Sequence, residues 1–374
     1  MTLLFVKTRP LKRIYLTVTN DLNYDQRMAR ICGSLAGAGY AVTLVGRKNR
    51  NSQPTAFQPY RQVRLNNWFR SGKLFYPSFN IQLFFYLLFR PADLVCAIDL
   101  DTILPCLVIS RLKKIPRVYD AHELFCEMKE VVTRPQIHRL WKAIEKKAVP
   151  QFKSGYTVSE YLAGEFLKMY GVHYGLIRNM AVLDQDQPFP PQRGTYILYQ
   201  GAVNEGRSFE TLIPAMREVA LPLIVCGDGN FMNKARALVT QYHLEDKVKF
   251  TGPLLPSALA EYTKNAAIGV TLFEKAGLSN YYSLANRFFD YLQACIPQVC
   301  VDYPAYRQLN DQYRVAVLID DLSPENIASQ LNNLLKDRVV YEDLRNNCMK
   351  ARLIFNWSEE EKKLIAFYRQ MFSQ

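Results

Sequence analysis

The feature that most constrains this chain is an alternation of short apolar runs with helix-length segments, repeated on both sides of a proline-rich stretch. In the first half, Arg13–Val18, Ala41–Val45, Asp93–Ala97, Arg117–Tyr119 and Gly155–Val158 read as strands. Helices are predicted over Asp25–Ala38, closed by Gly39, near Thr102–Leu112, and from a Ser159 cap to a Gly171 stop. The second half repeats the grammar, with strands at Tyr196–Gln200, Leu223–Cys226, Val248–Phe250, Ile268–Leu272, Gln298–Val301 and Ala316–Ile319. Helices between them fall near Phe209–Val219, Met232–Tyr242, Pro256–Lys264 and Ala285–Ala294. Strands spaced by helices in this way form parallel sheets covered on both faces. Ala181–Arg193 holds three prolines and no periodicity, so it reads as a linker. The expectation is therefore an α/β protein of two Rossmann-like halves, 1–180 and 194–355, with linker 181–193 and a ligand crevice outside the strand C-terminal ends.

Composition narrows the partners. The net charge is +13, and the excess lies in residues 1–189, with 27 Lys and Arg against 14 Asp and Glu; the remainder carries 20 of each. A basic half beside a neutral one points to an anionic partner, such as a membrane surface or a lipid-phosphate acceptor. Nucleic acid is not expected, because no helix-turn-helix, zinc or RNA-binding signature accompanies the charge. No GxGxxG follows the first strand, which argues against a dinucleotide-dependent dehydrogenase. The eight cysteines form no CxxC and no zinc spacing, and a reducing, cytoplasmic setting is expected. The first residues do not have the order of a signal peptide. The most apolar stretch, Leu74 to Phe89, is interrupted by Pro77, Ser78, Asn80 and Gln82 and falls short of a membrane span.

Two segments carry anion-binding chemistry. Tyr199 to Ser208 is a strand end, a loop with Gly201 and Gly206, and a helix start; Arg207 adds a guanidinium fork suited to phosphate oxygens. A plain strand–helix turn would look similar. In Ser279 to Tyr291, Ser283 is the natural N-cap of a helix that carries Asn286, Arg287 and Asp290 in its first two turns. Asn286 and Asp290 share one face at four-residue spacing, while Phe288, Phe289 and Leu292 turn to the sheet. Arg287 and the helix start suit a diphosphate, and Asp290 could accept two ribose hydroxyls; an exposed capping carboxylate is the plainer alternative.

YxGxxNxGR followed by SLxNRFFDYLQAxIP resembles the donor-binding region of family 4 retaining glycosyltransferases, which have the two-domain GT-B fold. The likeness extends to VCGDGN, VKFTGPL and the closing FNWSEEEKKLIAFYRQMF, and implies that residues 356–374 form a helix returning to the first half. It implies a donor site of Gly201, Arg207, Ser283, Asn286, Arg287 and Asp290, with the nucleotide-diphosphate-sugar as co-substrate and neither cofactor nor metal. The family's paired acids, seven residues between them, fall on Tyr282 and Asp290; Tyr282 cannot act as an acid, so Glu274 is taken as its substitute. Ala202 stands where an arginine is usual. These departures resemble a branch in which SLPNK-like residues replace the first acid.

The same resemblance puts the acceptor on the first half and the transferring sugar near His122 of Asp120-Ala121-His122-Glu123. Glu123, Asp21 and Arg27 are acceptor-side candidates, although Asn23 could equally cap the helix that follows it. Asp99-Leu100-Asp101 spells the DxD by which single-domain glycosyltransferases hold manganese, but Asp101 is read as a cap for the helix near Thr102. Interfacial features are an amphipathic segment at Gln136–Val149, with Arg139, Lys142 and Lys146 opposite Leu140, Ile144 and Ala148, and the mixture of Trp68, Phe69, Arg70, Lys73, Phe75 and Tyr76. They suit a protein lying peripherally on the inner membrane face. The expected function is retaining transfer of a sugar to an acceptor hydroxyl, in cell-surface polysaccharide or glycolipid assembly. The rivals are a nucleotide-sugar epimerase of the same double fold and a degenerate, non-catalytic sugar-nucleotide-binding subunit.

Overall fold

The computed structural model describes residues 11–373 apart from positions 51, 70, 71, 73, 184–192 and 276. Most of the linker segment, together with Arg70 and Lys73, therefore lies outside the described residues.

Each half is an open, wholly parallel sheet. The first contains β1 (Arg13–Thr17), β2 (Ala41–Arg47), β3 (Arg61–Leu65), β4 (Leu94–Ile98), β5 (Arg117–Ala121), β6 (Gly155–Thr157) and β7 (Gly175–Leu176), in the order β3-β2-β1-β4-β5-β6-β7. The second contains β8 (Ile197–Gln200), β9 (Leu223–Cys226), β10 (Val248–Gly252), β11 (Ile268–Thr271), β12 (Gln298–Val301) and β13 (Ala316–Ile319), in the order β10-β9-β8-β11-β12-β13. Both are Rossmann-like, and together they make a GT-B architecture. The inner strands are continuous apolar runs such as LVCAI, buried at every residue, because helices cover both faces of a parallel sheet. In each sheet the strand order reverses beside the first strand, between β1 and β4 and between β8 and β11. A reversal opens a crevice beyond the strand C-terminal ends, where ligands bind in folds of this type.

Alternating side chains of the first sheet feed two cores. Ile14, Leu16, Leu94 and Cys96 face the helix Gln26–Gly37 and the last helix, Trp357–Met371. Tyr15, Val95, Ala97 and Tyr119 face the helices Phe75–Leu88 and Ile103–Lys113. The last helix is tied to the first half by Trp357 Nε1, which donates to Ser34 Oγ at 2.9 Å, and by Glu360, whose Oε2 accepts from the Arg178 amide at 2.8 Å. The Trp357 amide also donates to the Ala181 carbonyl at 2.9 Å, joining the two places where the chain passes between the halves. All eight cysteines are buried free thiols.

Several local expectations are corrected. Strands β3 and β7 and the helix Phe75–Leu88 lack the alternation or capping that would have marked them. The helix after the first loop is capped by Asp25, which accepts from the Met28 amide, and Asn23 instead donates to the Gln53 and Pro54 carbonyls. The segment around Gln136 is a helix, Pro135–Ala148, but its faces differ from the simple wheel. Lys142 turns inward to Glu127 and Glu145, at 3.1 and 2.9 Å, and Leu140 turns outward. Ion pairing with the buried Glu145 outweighs the apolar preference there. Among the described residues, no helix is long and apolar enough to cross a membrane.

Candidate functional site

A cleft of about 540 Å³ lies between the sheets, lined from the first half by the loop after β1, His122 and Glu123, and from the second by the loops after β8, β9 and β11. Its floor requires glycine. A Cβ on Gly227, whose φ is +153°, would sit 1.8 Å from the Gly201 carbonyl oxygen, so the loops after β8 and β9 pack backbone to backbone. Gly201, at φ +117°, leaves open the space above which the Arg287 guanidinium lies.

Two arginines converge on one aromatic ring. The Arg207 guanidinium carbon lies 4.5 Å from the Phe273 ring centroid, and that of Arg287 lies 5.0 Å from the same centroid. Arg207 Nη1 donates to Asn280 Oδ1 at 3.0 Å. Arg287 also lies 4.3 Å from the Tyr199 centroid; it is buried, and its Nη1 has no hydrogen-bond partner among the described residues. Cation–π contacts hold both heads, yet leave the in-plane N–H groups of Arg287 without an anion. Phe273 is thus a support that patterning did not single out, because it resembles any apolar residue after a strand.

Asp290 faces the same cleft. One oxygen accepts from Gln200 Nε2 at 2.8 Å, and Thr263 Oγ1 donates to Gln200 Oε1 at 2.8 Å, fixing the amide. Burial pushes the carboxyl up to about 6, against the opposing pull of Arg30 and the Gln200 bond. The cap of the helix Asn286–Gln293 lies two residues later than expected: Ala285 is its N-cap, and the Ala285 amide donates to Tyr306 Oη at 2.9 Å. Ser283 is therefore not the cap; its hydroxyl donates to the Asn280 carbonyl at 2.8 Å, although it still lines the cleft with Asn286.

Residues 26–179 match the glycosyltransferase family 4 description, and residues 183–351 match glycosyl transferases group 1. Both halves are glycosyltransferase domains. No curated protein matches the chain significantly. Among solved structures, the transferase is similar to sucrose-phosphate synthase from Thermosynechococcus elongatus, with 18% identity and a TM-score of 0.74 over 97% of this chain and 99% of that one. HepE from Anabaena, solved in complex with UDP-glucose, gives 12% identity and 0.76 over 96% and 99%. WaaG, a glycosyltransferase involved in lipopolysaccharide biosynthesis, gives 15% identity and 0.72 over 95% and 99%. At these identities the likeness to solved structures speaks for the fold.

On the first half of the transferase, His122 follows β5 and its Nδ1 lies 3.0 Å from Asp99 Oδ2 at the end of β4. Burial alone would lower the imidazolium, but the Asp99 carboxylate outweighs it and pushes the group up to about 10. Asp99 adopts φ +53°, ψ −179°, a strained conformation for a residue with a Cβ, and such strain gathers at functional sites. Asp101 is not a helix cap: it sits inside a short 3₁₀ turn and accepts from the Thr19 hydroxyl. The two acids of the DxD thus take separate partners. Asp99, His122 and Glu123 nevertheless bring ligand atoms within 4.8 Å of one another.

Two candidates stand elsewhere, and a third is engaged at the wall. Asp21 is bound by Arg64 at 3.0 Å and by the Ser52 hydroxyl, and does not line the cleft. Glu274 is likewise absent from the lining; it pairs with Lys129 of the first half at 2.6 Å. Arg27 reaches the wall but is buried, pairing with Asp120 at 2.7 Å and donating to the Ile177 carbonyl. Its charge is spent on holding a buried acid rather than a ligand. Tyr282 stacks on Tyr161 of the first half, with ring centroids 5.8 Å apart.

Proposed function

We propose that the cleft binds a nucleotide-diphosphate-sugar and transfers the sugar, with retention of configuration, to an acceptor hydroxyl presented by the first half. The observation that carries this reading is the convergence of Arg207 and Arg287 on Phe273, beside Asp290. The diphosphate would take the unpartnered Arg287 Nη1 and the start of the Asn286 helix, and Asp290 would accept the ribose hydroxyls. The reaction breaks the bond from sugar to phosphate, its electron pair passing to the diphosphate oxygen. The acceptor oxygen bonds to the same face of the sugar, and its proton passes to a leaving phosphate oxygen. Charge-assisted hydrogen bonds, each about 1.5–3 kcal/mol, stabilise the departing diphosphate as its charge grows. His122, held as imidazolium by Asp99, would donate to a hydroxyl of the transferring sugar. The UDP-glucose complex of HepE and the lipopolysaccharide role of WaaG support a sugar-nucleotide donor and a place in surface-glycan or glycolipid assembly.

A thermal-shift screen of UDP-, GDP-, ADP- and CMP-sugars tests the donor site. One nucleotide class should stabilise the wild type, and Arg207→Ala and Arg287→Ala should each lose most of that shift. An unchanged response in both variants would remove the site. Transfer is expected to persist in EDTA; loss with chelator and recovery with manganese would instead assign Asp99, His122 and Glu123 to a metal. The pH dependence of binding reads Asp290 separately. Donor affinity should hold steady above pH 6 and fall, by up to about tenfold per pH unit, as the carboxylate is protonated. Asp290→Asn should bind weakly at every pH; a wild-type profile that stays flat from pH 7 to pH 5 would exclude Asp290 from the ribose contact.

A further inference from the structure

The flank of the first half has an outer surface that the transferase reading does not use. The helices Phe75–Leu88 and Ile103–Lys113 pack side by side on one face of the sheet, and Pro135–Ala148 packs beside the second. The helix Phe75–Leu88 has no charged residue in 14 positions. A surface helix of a soluble protein normally carries a charged outer face. Here the outer face is Ile81, Phe85 and Phe89 at four-residue spacing, with Phe89 just past the helix end and 77% exposed. The neighbouring helix repeats the pattern with Leu104, Val108 and Leu112, the last 61% exposed. Two stripes, one per helix, thus lie on adjoining helices, with Trp68, also exposed, ahead of the first.

The exposed charges on these helices and within two residues of their ends have one sign. Arg90, Arg111 and Lys114 are exposed around the C-terminal ends of the two apolar helices, and Arg139, Lys146 and Lys147 are exposed on the third. The three helices contain a single acid, Glu145, which is buried against Lys142. No carboxylate on them therefore reaches the surface. A second copy of this chain on the same face would bring like charges together around the apolar centre. An anionic bilayer surface would instead pair them, while the aromatic and aliphatic side chains enter the headgroup region.

We infer that this flank is a membrane-docking face, its partner a bilayer carrying anionic headgroups. It keeps Trp68, Arg139 and Lys146 from the features the sequence pointed to, but its apolar centre is the outer faces of Phe75–Leu88 and Ile103–Lys113, and Lys142 is turned inward. The inference goes beyond the transferase reading and holds whatever the cleft transfers.

The full chain should be sedimented with phosphatidylcholine vesicles, with and without about 30 mol% phosphatidylglycerol. The wild type should pellet with the anionic vesicles, less so as salt is raised, and remain largely in solution with phosphatidylcholine alone. Phe85→Ser/Phe89→Ser should lower the partition coefficient tenfold or more, and Lys146→Glu/Lys147→Glu should lower it and flatten the salt dependence. Both variants should keep the wild-type thermal shift with nucleotide, which separates loss of docking from loss of the cleft. Wild type left in the supernatant with anionic vesicles, or Phe85→Ser/Phe89→Ser pelleting like wild type, would overturn the inference. So would a wild-type dimer in sedimentation equilibrium that this variant turns to monomer, which would give the face to a second copy.

Discussion

Arg287→Met is expected to make the empty protein more stable and unable to bind a nucleotide diphosphate. The guanidinium is buried between Tyr199 and Phe273, and no carboxylate lies within ion-pairing distance of it among the described residues. Desolvating an unpaired cation is costly, and the two cation–π contacts offset only part of that. Methionine fills similar space without the charge, so the gain should be about 1 kcal/mol, a rise of a few degrees in Tm at most for a chain of this length. The loss on the ligand side is larger. Removing two charge-assisted hydrogen bonds costs about 3–6 kcal/mol, or roughly a hundredfold to ten-thousandfold in Kd. Calorimetric unfolding with and without nucleotide reads both effects in one series. A variant that is less stable and still binds would show that Arg287 is a structural residue.

The second large effect belongs to Asp99. Asp99→Asn should bring the His122 imidazolium down from about 10 toward the ordinary histidine range, because burial then acts with only Glu123 left to oppose it. The folded group lies above its unfolded value, so the ion pair's contribution to stability is fully present below about pH 6.5 and is lost as pH rises through about 10. Wild-type transfer should therefore be insensitive to His122 ionisation near neutrality. In Asp99→Asn, kcat should fall as pH rises through about 6.5, reaching roughly a thirtyfold deficit by pH 8 if the imidazolium is needed at the transferring sugar. Nitrogen NMR of the imidazole gives the titration directly. An unaltered titration would detach Asp99 from His122, and an altered titration with an unaltered rate profile would detach His122 from the chemistry.

The double parallel sheet was legible because buried parallel strands leave an unambiguous trace: β9, β12 and β13 lie where the apolar runs put them, and the helix from Glu160 ends at its Ser159 and Gly171 signals. The edge strand β3 was not, since RQVRL is only half-buried and carries its charges at the rim. Arg207, Arg287 and Asp290 were singled out by local spacing, and the fold brings all three to one cleft. Their supports were hidden, because Gln200, Phe273 and Asn280 acquire meaning only when strands distant in sequence become neighbours. Asp99 was visible within the DxD but was given no partner. Its partner lies 23 positions away, at the end of the adjacent strand, and no spacing rule within one element could have linked them. Glu274 failed for a related reason: a lysine from the opposite half reaches it first.

The bond between the Trp357 amide and the Ala181 carbonyl also bears on how the molecule can move. The polypeptide traverses from one half to the other twice, and this contact pins the two traverses together. Two separated tethers would permit twisting and sliding, whereas a single pinned line leaves chiefly a swing, like a book on its spine. Arg207 and Arg287, both on the second half, would then travel as one unit toward His122, and closure would alter the distance from cations to imidazole without altering the spacing of the cations themselves.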